Sequence, residues 1–208
     1  MDEFDDSLRP SSCDTTCMAS TLRDLLIQRA ARLQGRPALT SPDWNTLSYA
    51  QLRNRVEGVA LGLLAREAAP VVFSSTRTLW DWAAELAAAA SGLAWAPTGE
   101  VIPAEVLGGP HFNHEDGRGP YHTREQLVQP ATPFTAGLDQ GELMARLRRL
   151  NILLGWDHDT IVALPLPRLG DAPVRAALWS AVYAGAHAVV SPQLEWDATP
   201  FLGLWSPD

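Results

Sequence analysis

The segment TPFTAGLDQGEL, Thr132 to Leu143, carries the residue types that a phosphate-holding loop requires. Small hydroxylated residues and a glycine ahead of a helix allow several backbone N–H donors to converge on one anion. Thr132, Phe134, Thr135, Ala136 and Gly137 read as the opening of such a loop, but LDQGEL follows at once and nothing completes it. All sixteen basic residues of the chain are Arg and none is Lys. Any chemistry that needs an ammonium group is therefore closed to its side chains.

Other constellations are weaker. In HFNHED, His111, His114, Glu115 and Asp116, with His122 a few residues on, offer nitrogen and oxygen donors to a metal. The H-x-x-H spacing is unspecific and Gly and Pro surround it, so His111 and His114 are the only metal candidates and the expectation is no metal. Cys13 and Cys17 lie in the polar SSCDTTCMAS without Cys or His partners at zinc-finger spacing. Ser74, Ser75 and Ser191 follow Val-rich runs but lack the G-x-S-x-G elbow, and read as polar strand ends. His158, between Asp157 and Asp159, reads as a cap at a strand start, and His187 as a core or edge histidine. Trp80, Trp82 and Trp95 read as packing residues or interface anchors.

These residues need a scaffold. A chain of 208 residues, 46% of them hydrophobic and with eight Trp, is long and apolar enough for one sizeable core. The formal charge of −8 disfavours nucleic acid, which needs clustered cations, and the one basic run, Arg146, Arg148 and Arg149, reads as a solvated helix face. No apolar stretch approaches a membrane span, and MDEFDDSLRP lacks signal-peptide character, so a cytoplasmic protein is expected. Residues 1–19 read as a disordered leader, with Met18 an alternative start.

From Ser20 the pattern alternates. Leu22, Leu25, Leu26, Ala30 and Leu33 predict a helix closed by Gly35-Arg36-Pro37, followed by the strand PALTS. A turn at PDWN leads into TLSYAQLRNRVEGVALGLLARE, where Ser48 and Gln51 have capping-box spacing and Tyr49, Leu52, Val56, Val59 and Leu63 share a helix face. VVFSS, LAWAPT, TIVALPLP and HAVVSP read as strands, with TIVALPLP a buried one. TLWDWAAELAAAASG, PAEVL, DQGELMARLRRLNILLGW and DAPVRAALWSAVYAGA read as helices, with Thr78 capping the first and Gly92 and Gly185 as left-handed stops. The expected fold is α/β: a mixed, mostly parallel sheet covered by helices over residues 20–192, with an irregular loop at 108–130 and a tail at 193–208.

The order of these elements resembles the adenylate-forming enzymes: acyl-CoA synthetases, aryl-CoA ligases and the adenylation domains of nonribosomal peptide synthetases. LSYAQL at Leu47 to Leu52 is similar to the family's strand-to-helix turn. LWDWAAELAAAASGLAWAPTGEVIPAEVL is similar to its next helix, small-residue turn and strand, and ALPLPRLGDAPVRAALWSAVYAGAHAVVSP to a later strand, helix and strand.

The resemblance implies a Ser/Thr/Gly-rich loop ending in Pro-Lys-Gly before the helix that begins near Asp139. Phe134-Thr135-Ala136-Gly137 sits where that loop would open, and the rest reads as deleted. It also implies an aromatic and a His at the acyl pocket, where this chain has Pro167 and Arg168, a guanidinium that suits such a site poorly unless Asp171 pairs with it. The resemblance covers only the family's N-terminal part, without the magnesium-holding acid and the mobile lobe bearing the catalytic Lys. The expectation is a non-catalytic pseudoenzyme without a cofactor, acting as a binding, regulatory or scaffolding module for an acyl-CoA synthetase or carrier protein. Half a lobe exposes a face that needs a protein partner or self-association, a homodimer being the simplest. The alternative is one piece of a split or residually active acyl- or aryl-CoA ligase using ATP and magnesium.

Overall fold

The computed structural model describes residues 19–65, 71–72, 79–96, 128–135, 137–192 and 195–205. The leader with Cys13 and Cys17, Ser74 and Ser75, the Thr78 cap, the PAEVL helix, the HFNHED segment with His111 and His114, and Ala136 lie outside them.

Helix α1 (Leu22–Leu33) starts at a capping box in which the Thr21 side chain accepts from the Asp24 N–H and the Asp24 carboxylate accepts from the Thr21 N–H. It ends at Gln34, whose φ of 28° turns the chain one residue earlier than Gly35. Strands β1 (Pro37–Ser41) and β2 (Asn45–Ser48) form a hairpin that feeds α2 (Tyr49–Ala65). The predicted box at Ser48 and Gln51 is present, each backbone N–H donating to the other's side chain at 2.9 and 3.2 Å.

The short strands β3 (Val71–Val72) and β4 (Trp95–Ala96) pair in parallel on either side of α3 (Leu79–Ala90). Helix α3 is apolar nearly all round and accordingly buried nearly all round, its Ala87–Ala90 run excluded from solvent. Gly92 follows it with φ +68°, as predicted for its stop.

Strands β5 (Pro133–Thr135) and β6 (Leu138–Asp139) form a second hairpin leading into α4 (Gln140–Leu154). Then come β7 (Ile161–Pro165), α5 (Ala172–Ala184) and β8 (His187–Ser191). Gly185 stops α5 at φ +81°, where a Cβ would stand 2.8 Å from Leu33 Cδ1.

The main sheet has the order β2-β1-β8-β7, with the β1–β8 and β7–β8 pairs parallel and β1–β2 antiparallel. This is the mixed, mostly parallel α/β architecture that the alternating pattern predicts. Leu47, Leu39, Ala188 and Val162 form one cross-strand row on the face that α2 and α5 cover, and all four are buried. Thr46, Thr40, Val189 and Ala163 form the opposite row, which is half-buried or exposed. The expectation that TIVALPLP is buried holds for one face only: Ile161 is 69% exposed. Strand periodicity cannot tell a strand covered on both faces from one covered on a single face when both faces carry apolar residues.

The tail joins the core. Phe201 and Leu204 are buried, Trp196 stacks on Phe201 at 5.3 Å, and Trp205 donates its indole N–H to the Ala172 carbonyl at 2.8 Å. Among the described residues, no helix is long and apolar enough to cross a membrane.

Candidate functional site

The candidate phosphate-loop residues fold as a tight hairpin. Pro133 pairs with Asp139 and Thr135 with Leu138, so only Ala136 and Gly137 lie between the paired residues, and Gly137 takes φ +80°. Phe134 is buried edge-on against Trp179, ring centres 6.3 Å apart. The Thr132 hydroxyl accepts from the Gln129 N–H at 2.9 Å, turned into its own loop.

The first amides of α4 are already committed. Gln140 N–H donates to the Thr132 carbonyl at 3.0 Å and Gly141 N–H to the Pro130 carbonyl at 2.8 Å. Glu142 N–H donates to the Asp139 carboxylate at 2.7 Å, while the Asp139 N–H donates to Glu142 Oε2 at 3.1 Å. This capping box puts a fixed negative charge at the end of the helix where its dipole would otherwise attract a ligand anion. The glycines have local causes as well. Gly137 supplies the positive φ of the turn, and a Cβ on Gly141 would stand 3.0 Å from Pro130 Cβ.

An open depression of about 330 Å³ adjoins this hairpin, lined by Ala131, Pro133, Phe134, Thr135, Leu138 and Asp139 among others. Among the described residues its lining contains no cation and one carboxylate, that of Asp139. Below it, Gln140 is completely buried; its side-chain carbonyl accepts from Leu22 N–H at 3.1 Å and its amide donates to the Ala89 carbonyl at 2.7 Å. The start of α4 is thereby fastened to the start of α1 and the end of α3.

Arg168 lies in the 3-10 turn that follows β7, at the position where the resemblance implies an acyl pocket. Its side chain is 44% exposed, pairs with Asp171 at 2.8 Å and lies over the Trp196 ring at 5.7 Å. The buried guanidinium that would have obstructed an apolar pocket is thus not present at this position.

The residue groups that sequence reasoning missed are buried ion and hydrogen-bond pairs. Glu85 on α3 receives two bonds from Arg175 on α5, at 2.6 and 2.7 Å, and a third from the Trp179 indole N–H at 3.0 Å. Burial opposes the Arg175 charge, but Glu85, with Asp81 adding, holds its pKa above the ordinary guanidinium range. Arg175 also lies 4.8 Å over the Trp205 ring. A faint signal was legible: Glu85 interrupts an alanine-rich run, and Arg175 and Trp179 are one helical turn apart. Arg146, expected on a solvated face, is buried and donates to the Leu204 carbonyl at 3.2 Å, whereas Arg148 and Arg149 are exposed. The tail that covers Arg146 has no periodicity from which to foresee it.

His158 and His187 are the described histidines. His158 is exposed and does not cap; the Asp157 carboxylate accepts instead from the Thr160 hydroxyl and the Asp159 N–H, and these bonds lower its pKa. His187 is half-buried on β8 with Nε2 2.8 Å from Thr40 Oγ1, and burial lowers its pKa. The described residues contain no group of three His, Cys, Asp or Glu placed to hold a metal.

No family model matches the sequence, and no curated protein does. Solved structures do. The N-terminal subdomain of Klebsiella oxytoca NpsA superposes with a TM-score of 0.58 at 15% identity, over 87% of this chain and 56% of that one. An artificially fused adenylation–PCP di-domain of a nonribosomal peptide synthetase, NpsA-ThdA from the same organism, gives 0.61 at 15% identity, over 89% of this chain and 45% of that one. The fatty acyl-adenylate ligase of L. pneumophila, solved with acyl adenylate and pyrophosphate, gives 0.61 at 14% identity, over 84% of this chain and 40% of that one. The chain therefore spans about half the length of the structures it matches. Its fold is that of the N-terminal subdomain of adenylate-forming enzymes.

Proposed function

We propose that this chain is a non-catalytic module on an adenylate-forming fold, a pseudoenzyme that works in the cytoplasm by binding a protein partner or a second copy of itself. One observation carries the reading: the three leading amides of α4 donate to Thr132, Pro130 and Asp139 rather than pointing into an open cradle. Carboxylate adenylation places negative charge on a five-coordinate phosphorus, and its stabilisation calls for free donors and cations converging there. Here the donors are spent, the nearest fixed charge is the Asp139 carboxylate, and the chain supplies no Lys.

The partner half of the reading rests on the sheet. Parallel strands are ordinarily covered on both faces, yet in the row through Thr46, Thr40, Val189 and Ala163 the two middle residues are half-buried and the two outer ones exposed, as is Ile161 beside them. A second copy stacking on this face is the simplest cover, and sedimentation equilibrium tests it.

The decisive experiment is retention of labelled ATP with Mg²⁺, together with pyrophosphate release in the presence of a panel of aliphatic and aromatic carboxylates. Neither signal is expected. Turnover by the purified chain would defeat the proposal. Turnover that appears only on adding a second polypeptide would instead establish one half of a split ligase.

A further inference from the structure

Strand β7 is an edge of the main sheet, and its bonding pattern fixes which of its backbone groups face outward. It pairs in parallel with β8, Ile161 opposite His187 and Ala163 opposite Val189. His187 N–H donates to the Thr160 carbonyl at 2.9 Å. In a parallel ladder that phase assigns the bonds with β8 to Thr160, Val162 and Leu164, and turns the N–H and C=O of both Ile161 and Ala163 to the free edge. Among the described residues neither makes a hydrogen bond there. Both are exposed, Ile161 at 69%.

The open stretch is short and sharply bounded. Upstream, the Thr160 and Asp159 N–H groups are tied into their own turn through Asp157. Downstream, Pro165 has no N–H and the chain leaves the sheet into the 3-10 turn Leu166–Arg168. Apart from that proline nothing on the strand protects it. IVALP carries no charge and its register with β8 is unbroken, whereas sheet edges are ordinarily blunted by Lys, bulges or a covering element. At the other edge, on β2, the Ser48 N–H is spent on Gln51.

A second β7 fits these groups. Across a two-fold axis through Val162, Ile161 of each copy stands opposite Ala163 of the other in an antiparallel pair, and each pair exchanges both N–H···O bonds. Every outward group of Ile161 and Ala163 is then satisfied. A parallel copy cannot do this symmetrically, because each bonding residue of a parallel ladder stands opposite a non-bonding one, as His187 does opposite Ile161. The antiparallel arrangement also sets Asp157 and Asp159, the latter paired with Arg36, toward the end of the other strand, where Arg168 pairs with Asp171, rather than acid against acid.

We infer that the free edge of β7 is a self-association surface at which two copies join strand to strand, Ile161 to Ala163, into one continuous sheet. This goes beyond the face-to-face cover proposed above and is independent of it, since an edge contact leaves that face open.

The register makes the test specific. The only two thiols, Cys13 and Cys17, are replaced in a C13S/C17S chain, and its I161C and A163C variants are mixed under mild oxidation. Opposed residues of a bonded antiparallel pair have Cα atoms about 5.5 Å apart, within disulfide reach, whereas like residues lie on the diagonal at about 7–8 Å. The expected product is the I161C–A163C heterodisulfide, with little of either homodisulfide. In the unaltered chain, amide exchange at Ile161 and Ala163 should slow as protein concentration rises, with Val162 and Leu164 slow throughout. A163P removes an outward N–H without touching the β8 ladder and should give a folded monomer; I161K, a charge on the same edge, should do so too. T46R, on the far strand of the open face, should leave the dimer intact. Concentration-independent exchange at Ile161 and Ala163, mainly homodisulfides, or a dimer that survives A163P and I161K would overturn the inference. A dimer lost with T46R but kept with A163P would also overturn it, by placing the second copy on the face of the sheet.

Discussion

Glu85→Gln isolates the value of the buried charge that joins α3 to α5. The glutamine keeps an oxygen for the Trp179 indole N–H but removes the carboxylate that takes both Arg175 bonds. Arg175 is then left charged at a site where its side chain is only 11% exposed. Breaking one partner of a buried pair costs about 3–5 kcal/mol, and Asp81, which also favours the Arg175 charge, points to the lower end. For a chain of this size each kcal/mol moves the midpoint by about 2–4 °C, so E85Q should lower Tm by about 6–12 °C for a loss near 3 kcal/mol. Thermal unfolding followed by tryptophan fluorescence reads this directly, since Trp179 sits in the cluster. The double substitution E85M/R175M removes both charges of the pair and leaves the indole N–H without an acceptor, a cost of about 1–3 kcal/mol, while Asp81 loses a favourable neighbour. It should therefore be more stable than E85Q. A single variant within about 1 kcal/mol of the parent, or a double variant below the single, would refute the view that α3 and α5 are joined through compensated charge.

Gly185→Ala forces a non-glycine residue to φ +81° and drives its Cβ to 2.8 Å from Leu33 Cδ1, so a loss of about 2 kcal/mol or more is expected in the same melts. Asp139→Ala should lose a helix cap, about 1 kcal/mol, and leave the absence of nucleotide retention unchanged; gain of Mg²⁺-dependent ATP binding by this variant would show that the carboxylate alone had been blocking a cradle. His187 has its folded-state pKa depressed by burial, so the unfolded chain takes up the proton first. Stability should therefore fall as pH drops below about 6.5, and His187→Gln should flatten that part of the pH profile of urea midpoints.

The helices and most strands were legible because each carries its own punctuation. The Ser48–Gln51 box and the left-handed Gly92 and Gly185 are local devices, and local sequence suffices to read them. The β5–β6 hairpin was not read as strands; only the interruption of the glycine-rich loop ahead of α4 was legible. What could not be read was non-local. Glu85 meets Arg175 across 90 positions, and Arg146 is buried by a tail without periodicity. The open face of β7 escaped because Ile161 and Ala163 are as apolar as Val162 and Leu164. Whether a second layer covers such residues depends on what packs there, which a period of two does not encode.

The turn at Gly137 also has a practical consequence. Open space surrounds its Cβ position, while Thr135 and Leu138 are clamped by strand pairing and the start of α4 by Gln140. It is a natural splice point: lengthening a surface connection costs only about 0.6 kcal/mol per doubling. A glycine-rich segment bearing a lysine can be grafted at this tip to ask whether such an insertion confers Mg²⁺-dependent retention of ATP.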